Sequence, residues 1–445
     1  MPRSQKIAFS MASLAAALVG QAFSTYVIFF YVDHLKLSAQ LVGSGMILYG
    51  IWNAINDPLI GQISDRTHTR WGRRIPYVLA GAIPLGLSFI LVWLPPFSVA
   101  AGQSWPLFLY FLGIIFVYDT LFTIVFLNWS ALFPEMYPGL AERTEVMAWR
   151  QGLGIIGMMA GIALPPMIYG SVGWGNMGII FGIISISTVL VSMWGSREKP
   201  EFSQDEGLPL LEALRATFLN RSFATYIAAI FLVEFVFVML TATIPFYAKY
   251  VLKIGEFQTS LMLGMIFIVA LPMVVVWGRY TVKAGALKAF IFSTLLFGVS
   301  LVPFLFVSSF LGGLIVAGLM GLGLAGLILL MDIMLSDVID EDELKTGTRR
   351  EGMYFGTNGF MVRLGISLQA LVMTTVLKVS GYDPNLAVQP ASAIAGLRFL
   401  MTAVPLVALI ISVLVLRYYP LHGPRLEEVR AAVARLHEEK AARQA

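Results

Sequence analysis

A chain of 445 residues that is 58% apolar and only 13% charged carries too little charge to cover a soluble surface, since an ordinary soluble domain is about 25% charged. The composition excludes a soluble enzyme and points to an integral membrane protein. The absence of cysteine excludes disulfides and thiolate metal sites, and the net charge of +4 is scattered over loops, so no nucleic-acid partner is expected.

Crossing a hydrocarbon core of roughly 30 Å takes about 20 apolar residues. Twelve runs meet that length, at about 6–32, 40–64, 75–95, 105–134, 144–169, 173–195, 222–251, 257–279, 286–307, 310–337, 352–379 and 394–418. The first starts near Ile7 without a small-residue cleavage site, which predicts a retained helix and not a cleaved leader. Between the sixth and seventh runs lies the one long polar stretch, with Glu198, Lys199, Glu201, Asp205 and Glu206, then a short amphipathic piece at 210–218. The pattern predicts an all-α membrane protein in four parts: a six-helix bundle over 1–197, a cytoplasmic linker over 198–221, a second six-helix bundle over 222–418 and a cytoplasmic tail over 419–445. Leu426, Val429, Val433 and Leu436 recur at helical spacing in the tail and predict an amphipathic helix there.

Most of the 30 lysines and arginines fall on one side of these runs: Arg3 and Lys6, Arg66 to Arg74, Arg143, the linker, Arg279 to Lys288, Lys345 to Arg350, and the tail. Positively charged loops stay in the cytoplasm, so both termini are expected there, in a multi-pass protein of a cell inner membrane. The halves also echo each other. The second run leads into Gly61, Asp65-Arg66 and Arg73-Arg74, and the eighth into Gly278-Arg279, Lys283, Gly285 and Lys288. Related six-helix halves are a transporter pattern, with the solute near the bilayer midplane.

A carboxylate at membrane depth is costly unless it faces a partner or a wet cavity. Asp57 is the clearest case, because Asn53 and Asn56 share its helical face and make that face rich in oxygen. The fourth run adds Asp119, Thr123 and Trp129, the fifth Arg150, the seventh Glu234, the tenth Asp332 and the eleventh Arg363. Arg150 and Arg363, one in each half, suit an anionic or hydroxyl-rich solute, with Trp129 and Tyr26 available to stack on it and Asp119 and Glu234 to bind it. Packing is the commoner role for such aromatics. At the cytoplasmic ends, acidic Asp65, Asp337 and Asp340 and basic Arg73, Arg74, Arg143, Arg349 and Arg350 could form a breakable latch between the halves. Exposed pairs of this kind contribute only about 0–1 kcal/mol each, enough to bias a two-state equilibrium.

Four stretches carry a family resemblance: Asn56-Asp57-Pro58 into Ser64-Asp65-Arg66-Thr67 and Arg70-Trp71-Gly72-Arg73-Arg74; Tyr118-Asp119-Thr120 through Trp129-Ser130, Glu142-Arg143-Thr144 and Arg150; Pro245-Phe246-Tyr247 with Lys249-Tyr250-Val251-Leu252; and Asp337-Val338-Ile339-Asp340 with Arg349-Arg350-Glu351-Gly352. In these the chain resembles the glycoside–pentoside–hexuronide:cation symporters of the major facilitator superfamily, the group of the melibiose permease. The resemblance implies cation-coupled transport by alternating access, with a cation site of Asn53, Asn56, Asp57 and Thr123 and with Arg363 nearby. The chain departs from the pattern at three points. Asn53 and Phe126 stand where the family has acidic residues, and the first run is apolar from Leu14 to Val19, where the family has a sugar-binding acid.

These observations predict a monomeric secondary transporter that moves a sugar, a glycoside or a related small solute through the bilayer. No cofactor is expected beyond a coupling H⁺ or Na⁺. A single carboxylate among neutral amides favours reversible protonation over sodium ligation. An uncoupled facilitator or a carrier of lipid-like solutes is the rival within transport, and a membrane receptor or enzyme on the same scaffold is the rival outside it.

Overall fold

The computed structural model describes residues 2–65, 67, 69, 72–137, 140–198, 220–346 and 351–444. All regular structure among the described residues is helical. The first half holds α1 (Arg3–Ile28, prolonged by a π-helical turn Phe29–His34), α2 (Ala39–Asp65), α3 (Ile75–Val92), α4 (Ser104–Met136), α5 (Leu140–Ala163) and α6 (Trp174–Trp194). The second holds α7 (Arg221–Tyr247, prolonged by a π-helical turn Ala248–Leu252), α8 (Glu256–Ala284), α9 (Ala286–Leu301), α10 (Phe310–Thr346), α11 (Glu351–Val379), α12 (Ala391–Met401 and Ala403–Leu416) and the tail helix α13 (Pro424–Gln444). Among the described residues, eleven helices are long and apolar enough to cross a membrane. The twelfth, α2, has 27 residues, about 40 Å at 1.5 Å per residue, but Asn53, Asn56 and Asp57 lower its apolar character.

Two expected spans are broken, each at a proline. The run expected over 144–169 stops at Ala163, and a separate helical piece, Pro165–Val172, follows. Leu164 between them keeps helical angles of −81° and −31°, and the ladder is interrupted because Pro165 and Pro166 have no backbone N–H to donate. The run expected over 394–418 breaks at Thr402, whose backbone angles are −129° and −67°. Pro405 would clash there with the carbonyl of Met401, four residues back. The expected amphipathic piece at 210–218 and most of the linker lie outside the described residues.

Packing groups the chain differently from chain order. One compact unit comprises Met1–Gly207 with Thr241–Gly264 and Ala370–Ile394, and the other Leu208–Leu240, Met265–Gln369 and Ala395–Ala445. The far ends of α7, α11 and α12's lead-in and the start of α8 therefore pack with the first half. In this first unit α1 lies against α5 through Gly157 and Gly161. A methyl at Gly161 would sit 2.5 Å from the Leu18 carbonyl oxygen, and one at Gly157 would overlap that of Leu14. Small residues four apart let helix backbones approach this closely in a membrane. In the second unit Gly323 does the same for α10, where a methyl would lie 2.6 Å from Phe297 on α9.

Candidate functional site: a carboxylate cluster on α2 and α4

Helical spacing aligns Tyr49, Asn53, Asn56 and Asp57 along α2, and Asp119 and Thr123, four residues apart, along α4. These two faces meet. Asn53 Nδ2 donates to Asp119 Oδ1 at 2.5 Å and Asn56 Nδ2 to Asp119 Oδ2 at 3.1 Å. Tyr49 also donates to the Asp119 carboxylate. Asn56 Nδ2 reaches Thr123 Oγ1 at 3.0 Å, and that hydroxyl donates to Asp57 Oδ1 at 2.8 Å. Asn53, Asn56, Asp119 and Thr123 are buried, with Asp57 at the half-buried rim. Asn56 is fully enclosed, yet its Oδ1 has no hydrogen-bond partner. A buried amide oxygen without a partner costs about 1–3 kcal/mol.

The four residues expected to hold the coupling ion are thus brought together, and Asp119, expected on the solute side, joins them. This changes the charge count of the face from one carboxylate to two. The pairing was visible in part, since Asp119 and Thr123 share a helical face. Tyr49, one turn before Asn53, was missed because a tyrosine in an apolar helix gives no distinguishing pattern. Trp52 closes the rim by donating its indole N–H to Thr120 Oγ1 at 3.1 Å and stacking on Phe116.

Arg150 lies apart from this cluster. Its guanidinium sits 4.4 Å from the centre of the Trp129 ring and 4.8 Å from that of Phe133, with Ser130 Oγ at 3.5 Å. A cation over an aromatic face gains about 0.5–2 kcal/mol, more when dry. Trp129 is held from behind, as its indole N–H donates to the Phe9 carbonyl at 3.1 Å and its ring stacks on Phe9. Tyr26, expected beside the solute, is fully buried, with its hydroxyl on the Ile162 carbonyl and its ring against Tyr169 and Trp174. Glu234 on α7 and Arg363 on α11 belong to the second unit. Glu234 lies within electrostatic reach of Asp332.

The described residues of the expected latch make the following contacts. The Asp65 side chain, Arg349 and Arg350 lie outside the described residues. Asp337 on α10 takes both nitrogens of Arg430 at 2.8–3.2 Å, and Glu341 takes Arg425 at 2.8 Å, so the acidic end of α10 is bound by the tail helix α13. The reason lies in spacing: Asp337 and Glu341 share a face of α10, and Arg425 and Arg430 lie beside buried Leu426 and Val433 on α13. Asp340 is half-buried beside them. Arg143 donates to the Tyr137 carbonyl at 3.2 Å. Arg73 and Arg74 meet Glu198, just past α6, which sequence reasoning assigned to the linker. The Glu198 carboxylate accepts the backbone N–H groups of Arg73, Arg74 and Ile75 at 2.8, 3.0 and 3.3 Å and so caps α3 from a distance in sequence. Gly72, at φ +101°, permits this, because a side chain there would overlap Glu198. Helix caps contribute about 0.5–2 kcal/mol. Glu198→Ala is therefore expected to lower the melting temperature by about one to two degrees, and Arg73→Ala by less, in a thermal melt of the detergent-solubilised protein.

Residues 8–423 match the MFS/sugar transport protein family. The chain is 28% identical to the isoprimeverose transporter of Lactiplantibacillus pentosus, over 94% of this chain and 89% of that one. It is 23% identical to the sodium-dependent lysophosphatidylcholine symporter 1-A of Danio rerio, over 95% and 86% respectively. The solved structure of a bacterial homologue of the human lysosomal transporter Spinster superimposes with a TM-score of 0.69 at 14% identity, covering 94% of this chain and 98% of that one. The family match runs from the first turns of α1 through the broken α12, including α2 and α4, and identifies the chain as a member of the MFS/sugar transport protein family, a secondary transporter of the major facilitator fold and not an enzyme.

Proposed function

We propose that this transporter is a symporter that couples a cation, bound by Asp57 and Asp119 with Asn56 and Thr123, to uptake of a sugar or glycoside that meets Arg150 and Trp129. The observation that carries the reading is the meeting of two carboxylates from facing helices beside the unpartnered Asn56 Oδ1. A hard cation stripped of water is held by oxygen ligands, several of them anionic. One carboxylate alone favoured a proton. Two carboxylates, a hydroxyl and an amide oxygen favour sodium. Completeness of the cluster speaks against an uncoupled facilitator.

The sugar rests on the isoprimeverose transporter among the relatives. A lipid-like solute finds support in the lysophosphatidylcholine symporter and in the apolar stretch Leu14 to Val19. The charge asymmetry of the loops supports an inner-membrane protein with both termini cytoplasmic, and no partner chain is needed to complete the α2–α4 cluster, which fits a monomer.

Gradient-driven uptake into proteoliposomes tests the proposal. A sodium gradient at fixed pH is expected to drive isoprimeverose above its outside concentration, with a pH gradient at fixed sodium giving much less. Uptake that only equilibrates under either gradient would overturn coupling. Uptake of lysophosphatidylcholine alone would replace the sugar.

A further inference from the structure

The first helices of the two halves end alike. Each closes in a π-helical turn, Phe29–His34 in α1 and Ala248–Leu252 in α7. Each turn is followed by a lysine in the left-handed region, Lys36 at φ 63° and Lys253 at φ 54°, which are the two non-glycine residues of positive φ among those described. Each end is sealed by a backbone bond reaching back six residues, Leu37 N–H to the Tyr31 carbonyl at 2.9 Å and Ile254 N–H to the Ala248 carbonyl at 3.1 Å. Superimposing these bonds places Asp33 opposite Tyr250. π turns are uncommon and concentrate at functional positions, and left-handed lysine carries a strain that glycine would not. Two copies of one strained ending, kept in repeats of different sequence, call for a shared purpose.

That purpose is visible in what the turns bring together within the first unit. Asp33 is buried, with 2% of its surface exposed. Its Oδ2 takes Lys249 Nζ at 2.5 Å, and its Oδ1 takes the hydroxyl of Tyr250 and that of Tyr382 at 2.6 Å. Tyr382 is delivered by the turn at Gly381, where φ is +75°. Burial and the adjacent Asp33 charge push the Tyr382 phenol well above its ordinary range, so it stays a neutral donor. Around this carboxylate, Phe29 meets Phe246 edge to face, Lys36 Nζ donates to the Pro384 carbonyl, and Gly43 on α2 faces Thr374 on α11, whose Cβ would lie 3.0 Å from a methyl at Gly43. Asp33 comes from the first half of the chain, and all three of its donors come from the second.

We propose that Asp33, Lys249, Tyr250 and Tyr382 form the gate that closes the end of the first unit opposite the N terminus. The proposal rests on transport by this fold but not on the assignment of the coupling ion or the solute. Solute can pass that end only when the α7 and α11 segments part from α1 and α2, which strips a buried carboxylate of three donors at once. Lys249 reaches Asp33 from a half-exposed position, so the cost of opening falls on the buried carboxylate: a buried acceptor left without its donors is expensive, and the gate favours the closed state until a bound solute or ion offsets the loss. The π turns set the geometry: their hydrogen bonds reach back five residues instead of four, which shifts the register at the two helix ends where Asp33 and Tyr250 meet.

The chain has no cysteine, so a single Thr374→Cys substitution gives a reporter sealed against Gly43. Full-length protein carrying it is reconstituted, and a membrane-impermeant maleimide is applied from the side opposite the termini, without solute. Asp33→Asn is expected to speed labelling about tenfold, and Tyr382→Phe, which keeps the ring, several-fold. The swap Asp33→Lys with Lys249→Asp is expected to return labelling toward the starting rate. Should Asp33→Asn fail to fold, Tyr382→Phe decides. Labelling at the starting rate in Tyr382→Phe, with or without a lower melting temperature, overturns the gate and leaves the cluster a packing feature. This readout needs neither sodium nor sugar, so it stands even if the coupling assignment fails.

Discussion

Asp119→Asn is expected to abolish accumulation of solute against its gradient while leaving exchange of labelled for unlabelled solute measurable. Asp119 is the most enclosed charge of the α2–α4 cluster, with Asn53, Asn56 and Tyr49 as its donors. Three donors satisfy an anion, and an amide in its place keeps the shape but removes the charge that a cation needs. A tenfold sodium gradient supplies about 1.4 kcal/mol per ion, which sustains a tenfold solute gradient at one ion per solute. In Asp119→Asn the ratio of inside to outside concentration should fall to about one. Asp57→Asn is expected to do the same with a smaller loss of sodium affinity, because Asp57 stands at the partly open rim and its bond from Thr123 survives in the amide. Uphill transport that persists in Asp119→Asn at the wild-type ratio would remove the residue from coupling.

Arg150→Ala should weaken solute binding by about ten- to a hundredfold, since a hydrogen bond to a charged group contributes roughly 1.5–3 kcal/mol. The guanidinium is already pinned over Trp129 and Phe133, so little side-chain freedom is lost when solute arrives. Arg150→Lys is expected to recover only part of the affinity, because an ammonium offers neither the planar stacking nor the forked donors of arginine. Calorimetry of solute binding at saturating sodium checks both variants. Unchanged affinity in Arg150→Ala would place the solute elsewhere. A loss confined to anionic solutes would assign Arg150 to a charged substituent and not to sugar hydroxyls.

The helices were legible because length and hydropathy alone decide where a chain crosses a bilayer, and the polar face of α2 was legible because spacings of three and four are fixed by the helix. The register between helices was not. Nothing in the sequence of α4 says that Asp119, and not Trp129 or Asn128, meets Asn53 and Asn56, since neighbouring polar residues on one helix point in different directions and only packing chooses among them. The tail illustrates the same limit. Its amphipathic spacing predicted a helix, but the capture of Asp337 and Glu341 by Arg430 and Arg425 depends on where that helix docks. Glu198 escaped notice because its partners are backbone N–H groups, which leave no trace in side-chain patterns. The π turns were hidden for a further reason: they change the residues per turn locally, so a regular helical periodicity does not reach the faces on which Asp33 and Lys249 meet.

Sodium binding to the purified transporter tests the central claim most directly. At fixed pH and without solute, raising sodium in place of potassium is expected to raise the melting temperature of the wild-type protein, by the mass-action stabilisation that any ligand of the folded state confers. The same titration should leave the melting temperature of Asp119→Asn flat and give a reduced rise, displaced to higher sodium, in Asp57→Asn, while both variants still respond to solute. A sodium-dependent rise in those variants equal to that of the wild type would contradict a cation site between α2 and α4.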